Sequence, residues 1–339
     1  MPCPGEHSVP AELGVTLSLS KGERPGVAIT TQVPQAVLDV LRQHADVLDV
    51  SSRAHAEWNA ALATATGVLV SSAIPIDAAF LDAAPNLKIV ATWSVGYDNV
   101  DLDALRERGI VLTNTSGSLV ETVADLTYAL VIFAMRNLTQ GLNWVRSGRW
   151  MQGNMPFGHD LEGATLGIVG FGQIGLAVAK RAQCSGMRVI YSNRTARPDD
   201  AQTGASYRAF DGLLAEADCV VLLVPLTPQT RGMFNDAQFA KMKPTAALVN
   251  VARGQVVDTA ALVRALEQKK IAGAALDVTD PEPLPADHPL VGRDDVLIVP
   301  HVGSATYETR ARMAMLAAQN LIAFFTGQPL PTPVTLPVA

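Results

Sequence analysis

Three residues late in the chain carry groups that can do chemistry: the guanidinium of Arg253, the carboxylate of Glu282 and the imidazole of His301. Each comes at or soon after the end of an apolar, strand-like run. These runs are residues 246–251, 274–278 and 296–300. The carboxyl ends of parallel strands meet at the crevice where α/β proteins bind ligands. The spacing therefore predicts one site that holds an anion and moves a proton.

The three groups suit chemistry on a carbonyl that lies next to a carboxylate. A guanidinium can bind the carboxylate through two parallel hydrogen bonds and polarise the carbonyl, so Arg253 is predicted to hold an acidic substrate. A structural ion pair is the alternative for an isolated arginine. A carboxylate that hydrogen-bonds an imidazole favours the protonated ring, which can deliver a proton. Glu282 and His301 are predicted to form such a pair, and a satisfied core histidine is the alternative.

A glycine motif upstream of these residues predicts a dinucleotide site. It has the form G-x-G-x-x-G, follows the apolar run 166–169 and opens a helix-like run. The positions assigned to this cradle are Gly170, Gly172, Gln173, Ile174 and Gly175. The first glycine permits the tight turn, the second lets the backbone approach the pyrophosphate, and the third lets the helix pack on the strand. Free N–H groups at the helix start favour phosphate. A glycine turn without a ligand is the alternative.

The end of the next strand indicates which dinucleotide binds. A cofactor without the 2′-phosphate is usually held by an acidic residue about 20 residues on, and that position is Ser192. No carboxylate stands in 191–195, whereas Arg194 offers a planar fork that suits phosphate oxygens. Ser192, Asn193 and Thr195 are neutral donors beside it. The segment predicts NADPH rather than NADH, and a solvated loop charge is the alternative interpretation of Arg194.

The elements that must position these residues alternate between short apolar runs and helix-period segments, which is typical of α/β layers. In the first block the predicted strands are 27–30, 67–70, 87–91 and 111–114, and the predicted helices are 34–44, 76–84, 102–107 and 119–135. In the second block the predicted strands are 166–169, 187–192, 220–224, 246–251 and 274–278, and the predicted helices are 174–184, 235–241, 259–267 and 304–326.

This alternation predicts an α/β protein with two Rossmann-like, doubly wound domains, the nucleotide-binding domain being inserted into the substrate-binding domain. A length of 339 residues suits two such domains. Residues 1–24 are assigned to a flexible N-terminal extension. Residues 25–115 and 305–339 are assigned to the substrate-binding domain, and residues 116–304 to the nucleotide-binding domain.

Composition argues against several kinds of partner. The net charge is −6, the isoelectric point is near 5.5 and no Lys/Arg-rich stretch is present, which argues against nucleic acid. No apolar stretch reaches the roughly 20 residues that a membrane span needs, and residues 1–23 do not resemble a secretory signal. Cys3, Cys184 and Cys219 share no metal-ligand spacing. Cys184 and Cys219 are predicted to be reduced core residues, which fits the cytoplasm.

The segment 141–158 is expected to be non-periodic and carries large apolar side chains among glycines and prolines. These side chains are Trp144, Trp150, Met151, Met155 and Phe157. They could pack within the domain, or they could form a contact between two copies of the chain, since exposed aromatic patches mark association. Both interpretations stay open on the residues alone.

Several motifs together resemble the D-isomer-specific 2-hydroxyacid dehydrogenase family, in family order and over roughly residues 25–330. They are 94–99 (SVGYDN), 170–175 (GFGQIG), 225–228 (PLTP), 250–254 (NVARG), 276–283 (LDVTDPEP) and 300–304 (PHVGS). The resemblance is to its glyoxylate/hydroxypyruvate reductases, including relatives that reduce 2-ketogluconate. Their NADPH-selective members also replace the acidic residue with a small polar group and a nearby arginine.

The resemblance implies roles for these residues and for others. It implies that Arg253 binds a 2-oxo acid, that His301 is the acid/base and that Glu282 is its partner. The implied cofactor contacts are Asp277, which would meet the nicotinamide amide, together with Pro225, Val251 and Gly303. The implied substrate contacts are the N–H groups of Val95 and Gly96, with Ser304 beside His301. The family uses no metal.

The resemblance also implies a homodimer formed through the nucleotide-binding domain, with a dimerisation segment near 137–160. For the apolar side chains of the segment 141–158, this favours a contact between two copies of the chain over packing within the domain. Trp150 would then reach the active site of a partner subunit.

The implied activity is NADPH-dependent reduction of glyoxylate to glycolate and of hydroxypyruvate to D-glycerate, with His301 as the proton donor. The alternatives are a 2-ketogluconate reductase, another D-2-hydroxyacid dehydrogenase, or a non-enzymatic cofactor-sensing protein. Val95 stands where phosphite-oxidising relatives carry lysine, and Glu282 stands where formate dehydrogenases carry glutamine, so neither reaction is expected. Corepressor relatives prefer NADH, which Ser192 and Arg194 do not suit.

Overall fold

The computed structural model describes residues 24–54 and 57–336, which fall into two compact units. The first unit contains the described residues up to Ser116 and those from Ala311 onward, and the second comprises Gly117–Arg310. The predicted extension at 1–24 lies, except for Arg24, outside the described residues. Within the described ranges, no helix has the length and apolar character needed to span a bilayer.

The first unit is built on a parallel sheet of five strands. They are β1 (Gly26–Ile29), β2 (Asp46–Asp49), β3 (Gly67–Val70), β4 (Ile89–Thr92) and β5 (Val111–Thr113), in the order β2-β1-β3-β4-β5. The connecting helices are α1 (Gln35–His44), α2 (Asn59–Leu62), α3 (Ala78–Ala83) and α4 (Leu102–Glu107). Every residue of β3, β4 and β5 is buried, as is usual when both faces of a parallel sheet are covered.

The second unit is built on a parallel sheet of seven strands. Its first helices are α5 (Val120–Met135) and α6 (Leu138–Arg146). Its strands are β6 (Thr165–Val169), β7 (Arg188–Ser192), β8 (Ser206–Tyr207), β9 (Cys219–Leu222), β10 (Ala247–Asn250), β11 (Gly273–Leu276) and β12 (Val296–Ile298). Its other helices are α7 (Gln173–Cys184), α8 (Asp200–Thr203), α9 (Phe210–Glu216), α10 (Asp236–Phe239) and α11 (Thr259–Glu267), and α12 (Tyr307–Phe325) begins in this unit and ends in the first.

The strands of the second sheet have the order β12-β11-β10-β9-β6-β7-β8. The chain winds outward from β6 in one direction through β7 and β8, and in the other through β9 to β12. Doubly wound folds bind their ligands at such a change of direction, outside the carboxyl ends of the strands. The edge of the sheet beside β6 and β9 is therefore where a ligand is expected.

Apolar side chains pack on both faces of each sheet. In β10, Leu248 belongs to one buried cluster of the second unit and its neighbour Val249 to the other. In β3, Val68 and Leu69 divide in the same way between the two clusters of the first unit. Successive side chains of a strand point to opposite faces, which explains why near-continuous apolar runs mark these strands in the sequence.

Side-chain caps explain where several helices begin. Asp77, Asp101 and Asp258 precede α3, α4 and α11, and each carboxylate accepts an N–H from the first turn of its helix. Such a cap satisfies a donor that the helix itself leaves unpaired. Helix α7 differs because Gly172 precedes it and provides no side-chain cap. Its first N–H groups are therefore available to a ligand.

The predicted α/β class with two parallel sheets is confirmed. The strand predicted at 67–70 and the helices predicted at 102–107 and 259–267 have those bounds in β3, α4 and α11, and the other predicted elements differ from the observed ones by a few residues. The elements β2, α2, α8, β8 and α9 were not predicted. They are short, and a short element contains too few residues to show a period.

Two expectations from the sequence are wrong. The segment 141–158 was expected to be non-periodic, but α6 covers its first part. Leu138, Leu142 and Val145 stand at helical spacing on α6, and all three are exposed. Cys219 is buried as predicted, whereas Cys184 is exposed at the end of α7, because apolar periodicity does not decide which side of a helix end faces solvent.

Candidate active site

The structure brings Arg253, Glu282 and His301 together at one edge of the second sheet. They lie on the loops that follow β10, β11 and β12, which are adjacent parallel strands. Glu282 hydrogen-bonds His301, and the charge of Arg253 helps to lower the pKa of Glu282. A cation, a carboxylate and an imidazole therefore share one site.

Glu282 and His301 form a short hydrogen-bonded pair. Glu282 Oε1 lies 2.6 Å from His301 Nδ1. The pKa of Glu282 is lowered, first because His301 hydrogen-bonds it, and the N–H of Thr279 and the charge of Arg253 add to this effect against partial burial. The Thr279 N–H reaches Glu282 Oε2 at 3.4 Å. With Nδ1 engaged, Nε2 is the nitrogen of His301 that can meet a substrate.

The turn at His301 is held by a buried carboxylate. The φ angle of His301 is +51°, a left-handed conformation that costs a residue with a side chain about 1–3 kcal/mol. Asp277 is 2% exposed and accepts the N–H of Val302 at 2.6 Å and of Gly303 at 3.1 Å. Burial raises the pKa of Asp277, while these donors and His301 oppose the rise. Both Asp277 oxygens thus bind the turn that carries the imidazole.

Arg253 projects from a loop that Asn250 fixes. Asn250 Nδ2 donates to the Arg253 carbonyl at 3.0 Å, and Asn250 Oδ1 accepts the Ala252 N–H at 3.1 Å. The guanidinium Nη1 donates to the Ala252 carbonyl at 2.8 Å. The next residue, Gly254, lies directly against the Thr279 carbonyl. The loop of Arg253 and the loop of Glu282 therefore touch backbone to backbone.

The glycine turn after β6 has the shape that a dinucleotide needs. Gly170 has a φ of +97°, and a Cβ there would lie 2.7 Å from the Leu223 carbonyl carbon. A Cβ on Gly175 would lie 2.9 Å from the Gly170 oxygen, so α7 packs closely on the turn. A Cβ on Gly172 would meet no described atom within 4 Å. This open space lies at the uncapped start of α7, Gln173 and Ile174, and fits a pyrophosphate bound by N–H groups.

Polar residues at the end of β7 lie beside this turn. Ser192 ends the strand and is buried. Asn193 Oδ1 accepts the Phe171 N–H at 2.7 Å and so ties the strand end to the glycine turn. Arg194 and Thr195 follow and are exposed. The segment thus places neutral donors and an exposed cation next to the candidate dinucleotide site.

The structure adds Arg197 to this group, a residue that its position in the sequence did not single out. Its side-chain Nη1 donates to the Phe171 carbonyl in the glycine turn at 3.3 Å. Its backbone N–H donates to the Tyr191 hydroxyl at 2.8 Å. Both Nε and Nη2 pair with Asp199 at 2.8 Å, and this pairing lowers the pKa of Asp199. In the sequence, the feature that could have indicated Arg197 was that it is a second arginine soon after Arg194.

The remaining predicted contacts lie at strand ends. Pro225 and Val251 follow β9 and β10 at the same sheet edge as the glycine turn. Ser304 is half-buried and follows the turn at His301. Val95 and Gly96 belong to the first unit, in the loop that follows β4.

Trp150 lies in a 3-10 turn, Arg149–Met151, and is 67% exposed. Arg149 anchors this turn through two hydrogen bonds to Asp294, at 2.7 and 3.1 Å, and its guanidinium lies 4.4 Å above the Trp144 ring. The turn is therefore fixed to the second unit while its apolar side chains face outward.

A dinucleotide turn and a proton-transfer pair on one sheet define an oxidoreductase that uses a nicotinamide cofactor. The sequence model of the D-isomer specific 2-hydroxyacid dehydrogenase NAD binding domain matches residues 128–303. The chain belongs to the D-isomer specific 2-hydroxyacid dehydrogenase family, as its motifs predicted.

Similar proteins span both units. The glyoxylate reductase of Thermococcus onnurineus (strain NA1) is 43% identical over 320 residues, which cover 91% of this chain and 95% of that protein. The NADPH-dependent glyoxylate/hydroxypyruvate reductase of Sinorhizobium meliloti, solved with NADP and malonate, is 35% identical with a TM-score of 0.81, covering 92% and 97% of the two chains. A glyoxylate reductase from Paecilomyes thermophila is 33% identical with a TM-score of 0.85, covering 92% and 98%.

Proposed function

We propose that this protein reduces small 2-oxo acids with NADPH, converting glyoxylate to glycolate and hydroxypyruvate to D-glycerate. The observation that carries the proposal is the 2.6 Å contact between Glu282 and His301 beside Arg253. The names of the three relatives described above support the choice of substrate, since they are glyoxylate or glyoxylate/hydroxypyruvate reductases.

Each residue of the trio has one task in this proposal. Arg253 binds the carboxylate of the acid and hydrogen-bonds its keto oxygen, which polarises the carbonyl. His301 delivers a proton from Nε2 to the keto oxygen. Glu282 orients the ring and stabilises its protonated form. The N–H groups of Val95 and Gly96 bind the carboxylate of the acid.

Other residues hold the cofactor. The uncapped start of α7 binds the pyrophosphate, while Pro225, Val251, Asp277 and Gly303 line the rest of the dinucleotide. A bound nicotinamide dinucleotide supplies the hydride that the keto carbon gains. In this proposal residues 116–304 form the NADP-binding domain, and residues 25–115 with 305–339 form the substrate-binding domain.

Absorbance at 340 nm with NADPH and a panel of 2-oxo acids tests the function. We expect the highest kcat/KM with glyoxylate or hydroxypyruvate. A higher value with 2-ketogluconate would transfer the assignment to that substrate. Bound NADPH without turnover of any acid would overturn the enzyme assignment in favour of a cofactor-sensing protein.

The choice of NADPH is supported by the charges around the end of β7. Ser192 occupies the position where an acidic residue would bind a free ribose hydroxyl. Arg194 is exposed next to it, and Arg197 is held against the glycine turn. The nearest carboxylate along the described segment, Asp199, is paired with Arg197. Arg194 thus offers an exposed guanidinium to a phosphate, and the charge of Arg197 neutralises the carboxylate of Asp199.

Arg194→Ala is expected to raise KM for NADPH about 10- to 100-fold, the loss of one or two charge-assisted hydrogen bonds. KM for NADH is expected to change little, because NADH has no 2′-phosphate. Steady-state kinetics with both cofactors measure the effect. Arg188→Ala is the matched control, since Arg188 begins β7 and pairs with Glu216. An equal rise in KM for NADPH and for NADH would contradict the proposal that Arg194 binds the 2′-phosphate.

We propose a homodimer formed through the segment 137–160. Leu142, Val145, Met151 and Phe157 are all exposed there, the last two at 93% and 90%. A cavity of about 850 Å³ in the second unit is lined partly by this segment and partly by the residues that precede β9, β10, β11 and β12. A second copy would cover the apolar side chains, and each covered side chain would contribute about 1.5–3 kcal/mol.

Phe157→Ser is expected to shift the protein from dimer to monomer, because a two-fold contact loses each side chain twice. Sedimentation velocity at micromolar concentration measures the mass. Tyr307→Ser is the control, since Tyr307 is 94% exposed but lies outside 137–160. A monomeric wild type, or a Phe157→Ser protein that remains dimeric, would count against this interface.

A further inference from the structure

The loop that follows β4 has its carbonyl groups held by hydrogen bonds from within the first unit. The Ser94 carbonyl accepts the Thr115 N–H at 2.9 Å. The Val95 carbonyl accepts the side-chain Nδ2 of Asn114 at 3.0 Å, and the Gly96 carbonyl accepts the Ser94 hydroxyl at 2.6 Å. The N–H groups of Val95 and Gly96, by contrast, donate to no residue in the described part of the chain.

The held carbonyls decide where these two N–H groups point. In a planar trans peptide the C=O and the following N–H point in opposite directions. Because Asn114 holds the Val95 carbonyl, the Gly96 N–H is turned away from Asn114. The Ser94 carbonyl fixes the Val95 N–H in the same way. The backbone bends at residues 93–95, and successive N–H groups in such a turn can converge on an anion.

Asn114 is itself fixed in one orientation. It is 7% exposed, and its Oδ1 accepts both the N–H of Ser116 at 3.1 Å and the Ser116 hydroxyl at 2.6 Å. The Asn114 carbonyl accepts the Thr332 hydroxyl at 2.6 Å. Since Oδ1 faces donors, the amide nitrogen must face the Val95 carbonyl. The hydrogen-bond network therefore assigns the amide without ambiguity.

We propose that Asn114 is a positioning residue for the carboxylate of the substrate: it holds the Val95 carbonyl and thereby aims the Gly96 N–H at the anion. This inference rests on the proposed binding of a 2-oxo acid at the Val95–Gly96 backbone. Asn114 touches neither substrate nor cofactor. Asn114 affects the bound acid through a single peptide group, which contains the Val95 carbonyl and the Gly96 N–H.

Asn114→Ala in the full chain is expected to raise KM for glyoxylate about 10-fold at saturating NADPH, the effect of losing one well-aimed hydrogen bond to a charged group. The inhibition constant of oxalate, an unreactive dicarboxylate, should rise by a similar factor. The values of kcat and of Kd for NADPH should stay near those of the wild type, because the variant disturbs anion binding and not proton transfer. A merely structural residue would not separate KM from kcat in this way.

Two further variants keep the test decisive. Ser116→Ala removes one bond that orients the Asn114 amide, so it should raise the same two constants by a smaller factor even if Asn114→Ala does not fold. Asn86→Ala is the matched control, because Asn86 Nδ2 also donates to a carbonyl of the first unit, that of Ala63 at 2.8 Å, and should change neither constant.

The possible outcomes separate this inference from the proposed function. An active wild type whose KM and oxalate inhibition are unchanged in Asn114→Ala and Ser116→Ala overturns the role of Asn114 alone. A fall in kcat at constant KM overturns it as well. A wild type that reduces no 2-oxo acid overturns the proposed function, and this inference falls with it.

Discussion

Replacing His301 with alanine is expected to lower kcat for 2-oxo acid reduction by on the order of 10²- to 10⁴-fold, the usual contribution of a positioned acid/base group. Nδ1 of His301 is held at 2.6 Å by Glu282, and the His301 side chain is 43% exposed, so a substrate can reach Nε2. Kd for NADPH should change little, because its phosphates are proposed to bind at the glycine turn and the end of β7. Absorbance at 340 nm measures turnover, and NADPH fluorescence measures binding.

His44→Ala is the matched control for this variant, since His44 ends α1 in the first unit and is exposed. It should retain the activity of the wild type. Full activity in His301→Ala would show that His301 is not the proton donor, and another group at the site would then have to deliver the proton.

The companion variant Glu282→Gln separates charge from shape at the same pair. The pKa of Glu282 is lowered from 4.5, mainly by its hydrogen bond to His301, so the carboxylate stays ionised throughout the neutral range. A neutral glutamine keeps the shape of the side chain but removes the negative charge beside the imidazole, so kcat should fall roughly 10-fold, the effect of losing a hydrogen bond to a charged group. The 340 nm assay measures kcat. A wild-type kcat in Glu282→Gln would show that the charge of Glu282 makes no contribution at this site.

Gly254→Ala is expected to abolish most of the activity and to lower the melting temperature, although Gly254 carries no reactive group. A Cβ at this position would lie 1.9 Å from the oxygen and 2.0 Å from the carbon of the Thr279 carbonyl. Both are backbone atoms, so the two loops would have to separate, and these loops carry Arg253 and Glu282. Overpacking of this kind costs about 1–3 kcal/mol, and each kcal/mol corresponds to about 2–4 °C in a domain of this size.

Gly212→Ala provides the matched control. Gly212 lies inside α9, and a Cβ there would meet no described atom within 4 Å. Alanine is favoured over glycine in a helix interior by about 1 kcal/mol, so this variant should melt at the same or a higher temperature with unchanged kcat. Differential scanning fluorimetry and the 340 nm assay measure both quantities. Wild-type stability and activity in Gly254→Ala would contradict the close approach of the two loops.

Local chemistry explains how much could be predicted before the fold was known. The positive φ of Gly170 and the close contact at Gly175 both belong to a single turn. The spacing of the glycines in the sequence therefore predicts them directly. Parallel strands all run in one direction, and polar residues at their carboxyl ends must meet at one edge. For this reason the convergence of Arg253, Glu282 and His301 could be predicted without knowing the order of the strands.

Contacts between distant segments could not be predicted in the same way. Arg197 reaches the glycine turn only because the segment after β7 folds back on Phe171. Asn114 hydrogen-bonds a loop that precedes it by a strand and a helix. The apolar stripe of α6 has a clear helical period, yet its exposure depends on which surfaces the rest of the chain covers. No short stretch of sequence contains such information.

By itself, the sequence determined the α/β class, the dinucleotide turn and the three reactive groups. The class depends on the alternation of strands and helices along the chain, and the turn and the reactive groups depend on the residues at the ends of single strands. Only the tertiary structure decided how those groups are held: the 2.6 Å bond from Glu282 to His301, the two Asp277 oxygens on the turn of His301, and the contact of Gly254 with Thr279. These are distances between separate loops, and they exist only once the strands have been placed side by side.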